Sequence, residues 1–89
     1  MAGNILSKPQ PIYPESAKRD RTEGTVILRA IIARDGRVAS LHIISTPSPD
    51  LAIAAIAAVR RWTYRPYLLN GLPTEVDTAI TVNFSFNRY

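Results

Sequence analysis

Residues 75–86 alternate without a break. Val76, Thr78, Ile80, Val82, Phe84 and Phe86 hold one parity, and Glu75, Asp77, Ala79, Thr81, Asn83 and Ser85 hold the other. A period of two that separates an apolar row from a polar one describes a strand with one face on a core and the other in water. Such a strand is not stable alone. In a chain of 89 residues it needs sheet partners at its side and a second layer over its apolar face. The remaining sequence must supply both, and there is room for one core only.

The partners are legible upstream. From Thr25 the period is again two, with Val26, Leu28, Ala30 and Ile32 on one face and Ile27, Arg29, Ile31 and Ala33 on the other, so this strand is apolar on both sides. Asp35-Gly36 follows and separates it from a second β-rich run, 37–46. Asp-Gly between two such runs predicts a hairpin of antiparallel neighbours. In the second run Leu41 and Ile43 share a parity that Val38 and Ile44 do not, which predicts a β-bulge near Ser40.

The covering layer comes from two helices. Ser48-Pro49-Asp50 supplies an N-cap, a proline suited to the first turn and an acid where the helix dipole favours one. The spacing then predicts a helix over 51–62 with a stripe of Ala52, Ala55, Ile56, Val59 and Trp62, and Arg60 and Arg61 at its end. A shorter helix is predicted over 14–21, opened by Pro14 and Glu15 and stopped by Gly24. Pro9, Pro11 and Pro14 hold the preceding stretch extended. Residues 1–9 read as a flexible leader or linker remnant, and 10–89 as the domain. Asn70-Gly71 with Pro73 marks a turn-rich connection. The order is α-β-β-α-β. It predicts an α+β two-layer sandwich, a three-stranded antiparallel sheet with two helices on one face and two open edges. The last strand is expected to be one of those edges.

Chemistry is scarce in this sequence. With no Cys and one His, thiol nucleophiles, disulfides and Cys or His metal clusters are excluded. No nucleophile elbow, Gly-rich phosphate loop or catalytic carboxylate pair is present, so neither an enzyme nor a cofactor is expected. His42 reads as a strand residue, and Glu75 and Asp77 as solubilising residues on the polar face. Eleven Lys and Arg against seven Asp and Glu leave a net charge of +4. Lys18, Arg19 and Arg21 could join Arg60, Arg61 and Arg65 in one positive surface with Tyr64 and Tyr67 interleaved, a weak nucleic-acid signal beside the plainer reading of cations at helix ends. Trp62 reads as core. Tyr13 is open between stapling the leader to the body and presenting its ring to a partner. The longest apolar run, 51–59, is well short of the roughly 20 residues of a spanning helix.

Three stretches together resemble the C-terminal domain of the TonB family of energy transducers. The first is Gln10-Pro11-Ile12-Tyr13-Pro14 with Ala17 and Gly24. The second is Gly24-Thr25-Val26 with the alternating strand and Asp35-Gly36-Arg37-Val38. The third runs from Ala55 through Arg60-Arg61-Trp62-Thr63-Tyr64-Arg65-Pro66 and Asn70-Gly71-Leu72-Pro73 to the last strand. The resemblance spans 10–86 and its implied fold agrees with the order read above.

The resemblance implies a periplasmic receptor-binding module without enzymatic activity, belonging to a longer protein anchored in the inner membrane beside a proton-driven motor complex. It implies that an outer-membrane receptor segment, the TonB box, adds as a strand to the last strand in siderophore transport and related import. The partner-binding residues would be Ile80, Thr81, Val82, Asn83, Phe84, Ser85 and Phe86, with Gln10, Pro11 and Tyr13 beside the incoming strand. Many members carry an arginine where this chain has Ser16, and Lys18 or Arg19 would substitute for it. Gly24, Gly36 and Trp62 are expected to be structural. The alternatives are a related periplasmic scaffold, or dimerisation domain, using the same open edges to form a homodimer, and a small basic nucleic-acid-binding domain.

Overall fold

The strand that is apolar on both faces lies at the centre of the sheet. In the computed structural model, which describes residues 5–85, β2 (Gly24–Ile32) lies between β3 (Val38–Ser45) and β7 (Val76–Phe84), antiparallel to both. Ahead of β2 the chain forms β1 (Ile5–Ser7) and α1 (Glu15–Asp20), and between β3 and β7 it forms α2 (Pro49–Val59), β4 (Thr63–Tyr64), β5 (Tyr67–Leu69) and β6 (Leu72–Thr74). The inward row of β2, Val26, Leu28, Ala30 and Ile32, is fully buried, and its outward Ile27 and Ile31 are half-buried. Ile80, Val82 and Phe84 of β7 join the same core, while Asp77, Ala79, Thr81 and Asn83 are exposed. On that outer face Arg29 donates to Asp77 at 2.9 Å and Thr25 to Asn83 at 2.8 Å, cross-strand contacts that link the two strands.

The parity conflict in β3 is resolved by bulges. Ile31 pairs with Ser40 but Ile32 with Val38, so Ala39 is the extra residue; Ile27 pairs with Ser45 but Leu28 with Ile43, so Ile44 is a second one. The first bulge lets Val38, Leu41 and Ile43 all turn towards the core despite their different parity.

α2 is capped as expected, Ser48 Oγ accepting from the Leu51 N–H at 3.2 Å. Its buried row is Leu51, Ala52, Ala55, Ala58 and Val59; Ile56 is only half-buried, so the face is rotated from the stripe read in the sequence. The helix also ends three residues early. Arg61 and Trp62 close tight turns onto the carbonyls of Ala58 and Val59, and this swings Trp62 into the core at 3% exposure. Pro14 is the extended N-cap of α1 rather than its first residue, and Arg21, at φ 54°, ends the helix in place of Gly24. Gly24 serves β2 instead: a Cβ there would come within 2.7 Å of the Pro47 ring.

Two segments carry structure that periodicity did not announce. Residues 67–74, read as a connection, form the β5–β6 hairpin, with Asn70 and Gly71 at φ 53° and 81° in its turn. Residues 5–9, read as part of a leader, pack on the body: β1 pairs with β4, and Trp62 Nε1 donates to the Pro9 carbonyl at 3.0 Å. A buried indole needs an acceptor, and backbone supplied from the far end of the sequence leaves no trace in a local pattern.

Candidate functional site

A three-stranded sheet has two outer strands, and here they differ in quality as templates. β3 is broken by its two bulges. β7 pairs with β2 through nine consecutive residue pairs, from Ile32↔Val76 to Gly24↔Phe84, with no shift of register. In an antiparallel ladder alternate residues direct their N–H and C=O groups to opposite sides. Among the described residues β7 is bonded to β2 alone, so its other row faces outward along its whole length.

The N-terminal segment runs beside this strand. Ile5 and Ser7 pair with β4, Pro9 is held by Trp62, and Tyr13 reaches the far end of β7, where its ring meets Phe84 edge-on at 5.5 Å. The Tyr13 hydroxyl donates to the Thr22 carbonyl, and burial, then the charge of Glu23, raises its pKa above the ordinary tyrosine value. Of the two roles open for Tyr13 the structure shows the staple. Between the segment and β7 lies a cleft of about 220 Å³ lined by Ile5, Lys8, Trp62, Tyr64 and residues 78–81. Lys8 Nζ stands 5.1 Å from the Trp62 ring centroid in this cleft.

Gln10 is exposed and Pro11 half-buried, between the Trp62 and Tyr13 anchors. Lys18 and Arg19 are exposed on α1; Lys18 lies 3.9 Å from Glu15. Ser16 donates to Asp50 and so ties α1 to the start of α2. Thr81, Asn83 and Ser85 present side chains to solvent while Ile80, Val82 and Phe84 turn theirs inward, and Phe86 lies outside the described residues. Gly36, at φ 91°, sits where a Cβ would lie 1.9 Å from the Tyr64 carbonyl oxygen. Sequence reasoning missed Ile5, Lys8, Thr78 and Ala79 as neighbours of the edge. Only the alternation of β7 hinted at the last two.

One expected juxtaposition does not occur. The Ser16–Asp50 contact places α1 at the start of α2, whereas Arg60, Arg61 and Arg65 follow its other end, about 15 Å along the helix axis. The basic residues therefore form two separate groups rather than one surface. Tyr64 is no stacking platform, being 4% exposed, and its pKa is raised by burial and then by Tyr67.

Fold and edge together define a small α+β module whose last strand, β7, is a long outer strand without a bulge. The profile of the family described as Gram-negative bacterial TonB protein C-terminal matches residues 9–86, and the chain belongs to that family. It is 37% identical over 82 residues to protein TonB of Escherichia coli K12, covering 91% of this chain and 31% of that protein. Against protein TonB of Klebsiella pneumoniae the identity is 33% over 83 residues, covering 92% of this chain and 32% of the relative. The chain thus spans about a third of the length of these curated relatives. The solution NMR structure of the Pseudomonas aeruginosa TonB CTD shares the fold, with a TM-score of 0.80 at 22% identity, over 96% of this chain and 87% of that one.

Proposed function

We propose that this domain is the periplasmic receptor-binding end of a TonB-type energy transducer, and that it grips the TonB box of outer-membrane receptors by adding it as a strand to β7. The observation that carries the reading is the unbulged nine-residue ladder of β7, bonded on one side, beside a cleft and an anchored Gln10-Pro11-Ile12-Tyr13 segment. Family membership supports it. The physics suits pulling: backbone bonds along the ladder share a load directed along the strand, though each contributes only about 0.5–1.5 kcal/mol net. Residues 80–85 would supply the ladder, and Phe86 would extend it. Gln10, Pro11 and Tyr13 would flank the added strand, and Lys18 and Arg19 would meet acidic receptor groups where β7 ends. The longer protein would be anchored in the inner membrane and driven by a proton-channel motor complex, with no catalytic step in this domain.

The test is an NMR titration of labelled protein with a TonB-box peptide from a receptor of the same cell. Binding is expected to be weak, because ordering a flexible segment offsets much of the contact free energy. Shifts should concentrate in β7 and around Tyr13, and proline within the peptide should abolish them. Asn83→Pro, checked for folding by circular dichroism, should do the same. Shifts confined to α1 and residues 60–65 with β7 silent would overturn strand addition. Self-association that fills the β7 edge and excludes the peptide would favour the homodimer reading instead.

A further inference from the structure

The β5–β6 hairpin carries surface that the proposed receptor grip does not use. Leu68, Leu69 and Leu72 are 64%, 64% and 69% exposed, and Pro73 is also exposed. Exposed leucines are unremarkable when scattered, but these three lie within five residues on one projecting element. Their register decides what kind of partner they fit. Leu69 is paired with Leu72 and Leu68 with Pro73, so successive cross-strand pairs put apolar side chains on both faces of the ribbon. A groove on a globular protein would cover one face and leave the other wet. A lipid interface surrounds both.

Charge at this end of the molecule selects the kind of lipid. The Tyr64 N–H donates to the Gly36 carbonyl at 2.8 Å, and Arg37 bridges to Thr63, so the β2–β3 turn is docked against β4 directly before the hairpin. That docking gathers Arg34 and Arg37 of the turn with Arg60, Arg61 and Arg65, all exposed. Arg34 and Asp35 share a recess with Leu72 and Pro73. Among the described residues of the turn and of 60–75 these five arginines stand against two carboxylates, Asp35 and Glu75, and Asp35 is already engaged by Arg37 at 3.0 Å. Leu6, on β1 beside β4, adds a further exposed apolar side chain to the same end.

We infer that the hairpin is a membrane-surface anchor, its leucines entering the interfacial layer of an anionic bilayer while the surrounding arginines engage the headgroup phosphates. Apolar burial and charge attraction act together in such an element. The hairpin and α1, where Tyr13 meets the end of β7, lie at opposite ends of α2.

The test is co-sedimentation of the 89-residue chain with vesicles of phosphatidylcholine alone and of roughly three parts phosphatidylcholine to one part phosphatidylglycerol. The chain should partition onto the anionic vesicles and not the neutral ones, and roughly 0.5 M salt should weaken the partitioning. Leu69→Ser with Leu72→Ser should reduce it about tenfold or more, as should Arg60→Gln with Arg61→Gln and Arg65→Gln. Both variants alter exposed side chains, so their melting curves should match the parent. Absence of binding to anionic vesicles would overturn the inference. So would binding that survives the leucine substitutions, which reports an electrostatic patch alone, or a parent dimer that those substitutions turn into a monomer, which makes a second copy the occupant.

Discussion

Gly36 and Gly71 offer a paired test of what holds the β2–β3 turn to the body. Both have positive φ, 91° and 81°, so alanine at either position costs about 1–2 kcal/mol in backbone strain. They differ in what the added Cβ meets. At Gly71 nothing lies within 4 Å; at Gly36 the Tyr64 carbonyl oxygen would lie at 1.9 Å and its carbon at 3.0 Å, both backbone atoms. Ordinary contact begins at 3.4 Å, so the turn and β4 must separate by about 1.5 Å. That breaks the 2.8 Å bond from the Tyr64 N–H to the Gly36 carbonyl, about 1 kcal/mol, and uncovers part of a tyrosine now 4% exposed, about 1–2 kcal/mol more. Gly71→Ala is therefore expected to cost about 1–2 kcal/mol and Gly36→Ala about 3–5 kcal/mol. A domain of 89 residues has about 4–13 kcal/mol in total, so the second variant should be marginal. Urea denaturation followed by circular dichroism reads both, and each kcal/mol lowers Tm by about 4–8 °C. A gap between the two variants below about 0.5 kcal/mol would refute the argument that the turn is docked on Tyr64.

Trp62→Ala should cost about 3–5 kcal/mol, whereas Trp62→Phe, which keeps a ring but removes the donor to Pro9, should cost about 1–2 kcal/mol and speed amide exchange in β1; an unchanged melting curve for the alanine variant would place the ring outside the core. In amide exchange, the outward N–H groups of residues 80–85 should exchange much faster than those of β2, which is paired on both sides, and equal protection would mean that the β7 edge is already occupied. Asp35 is held below the ordinary aspartate value of 3.8, first by the Arg37 backbone N–H and then by its side chain. Because its folded pKa is the lower one, its contribution is complete above the unfolded value and is lost as pH falls through the folded value. The stability difference between parent and Asp35→Asn should therefore shrink as pH drops from about 5 to below 3, and a constant difference would contradict that assignment.

Local chemistry alone determined the three long strands, the Asp35-Gly36 hairpin, the Ser48 cap and the order of those strands with the two helices. Each depends on near neighbours: a side-chain period of two, a glycine at positive φ, a hydroxyl three residues from an amide. The buried face of β7 followed from the same periodicity, whereas the place of β2 between β3 and β7 was decided by the pairing of the strands. At the candidate site, alternation marked the strand and the Gln10-Pro11-Ile12-Tyr13-Pro14 motif marked the segment beside it.

What was not local was decided only in three dimensions. The bulge at Ile44 is set by the pairing of β3 with β2, and the early end of α2 and its rotated face by packing, which outweighs the small propensity differences that a sequence pattern expresses. The seating of residues 5–9 depends on Trp62 finding its acceptor 53 positions away, and the separation of the basic residues depends on α2 running from one end of the sheet to the other. The Asn70-Gly71 hairpin was visible in its turn residues, but its two short strands bury no apolar row and so leave no periodic signature. Its exposed leucines become a feature of one end of the molecule only because the Gly36 turn, docked on Tyr64, brings the arginines beside them.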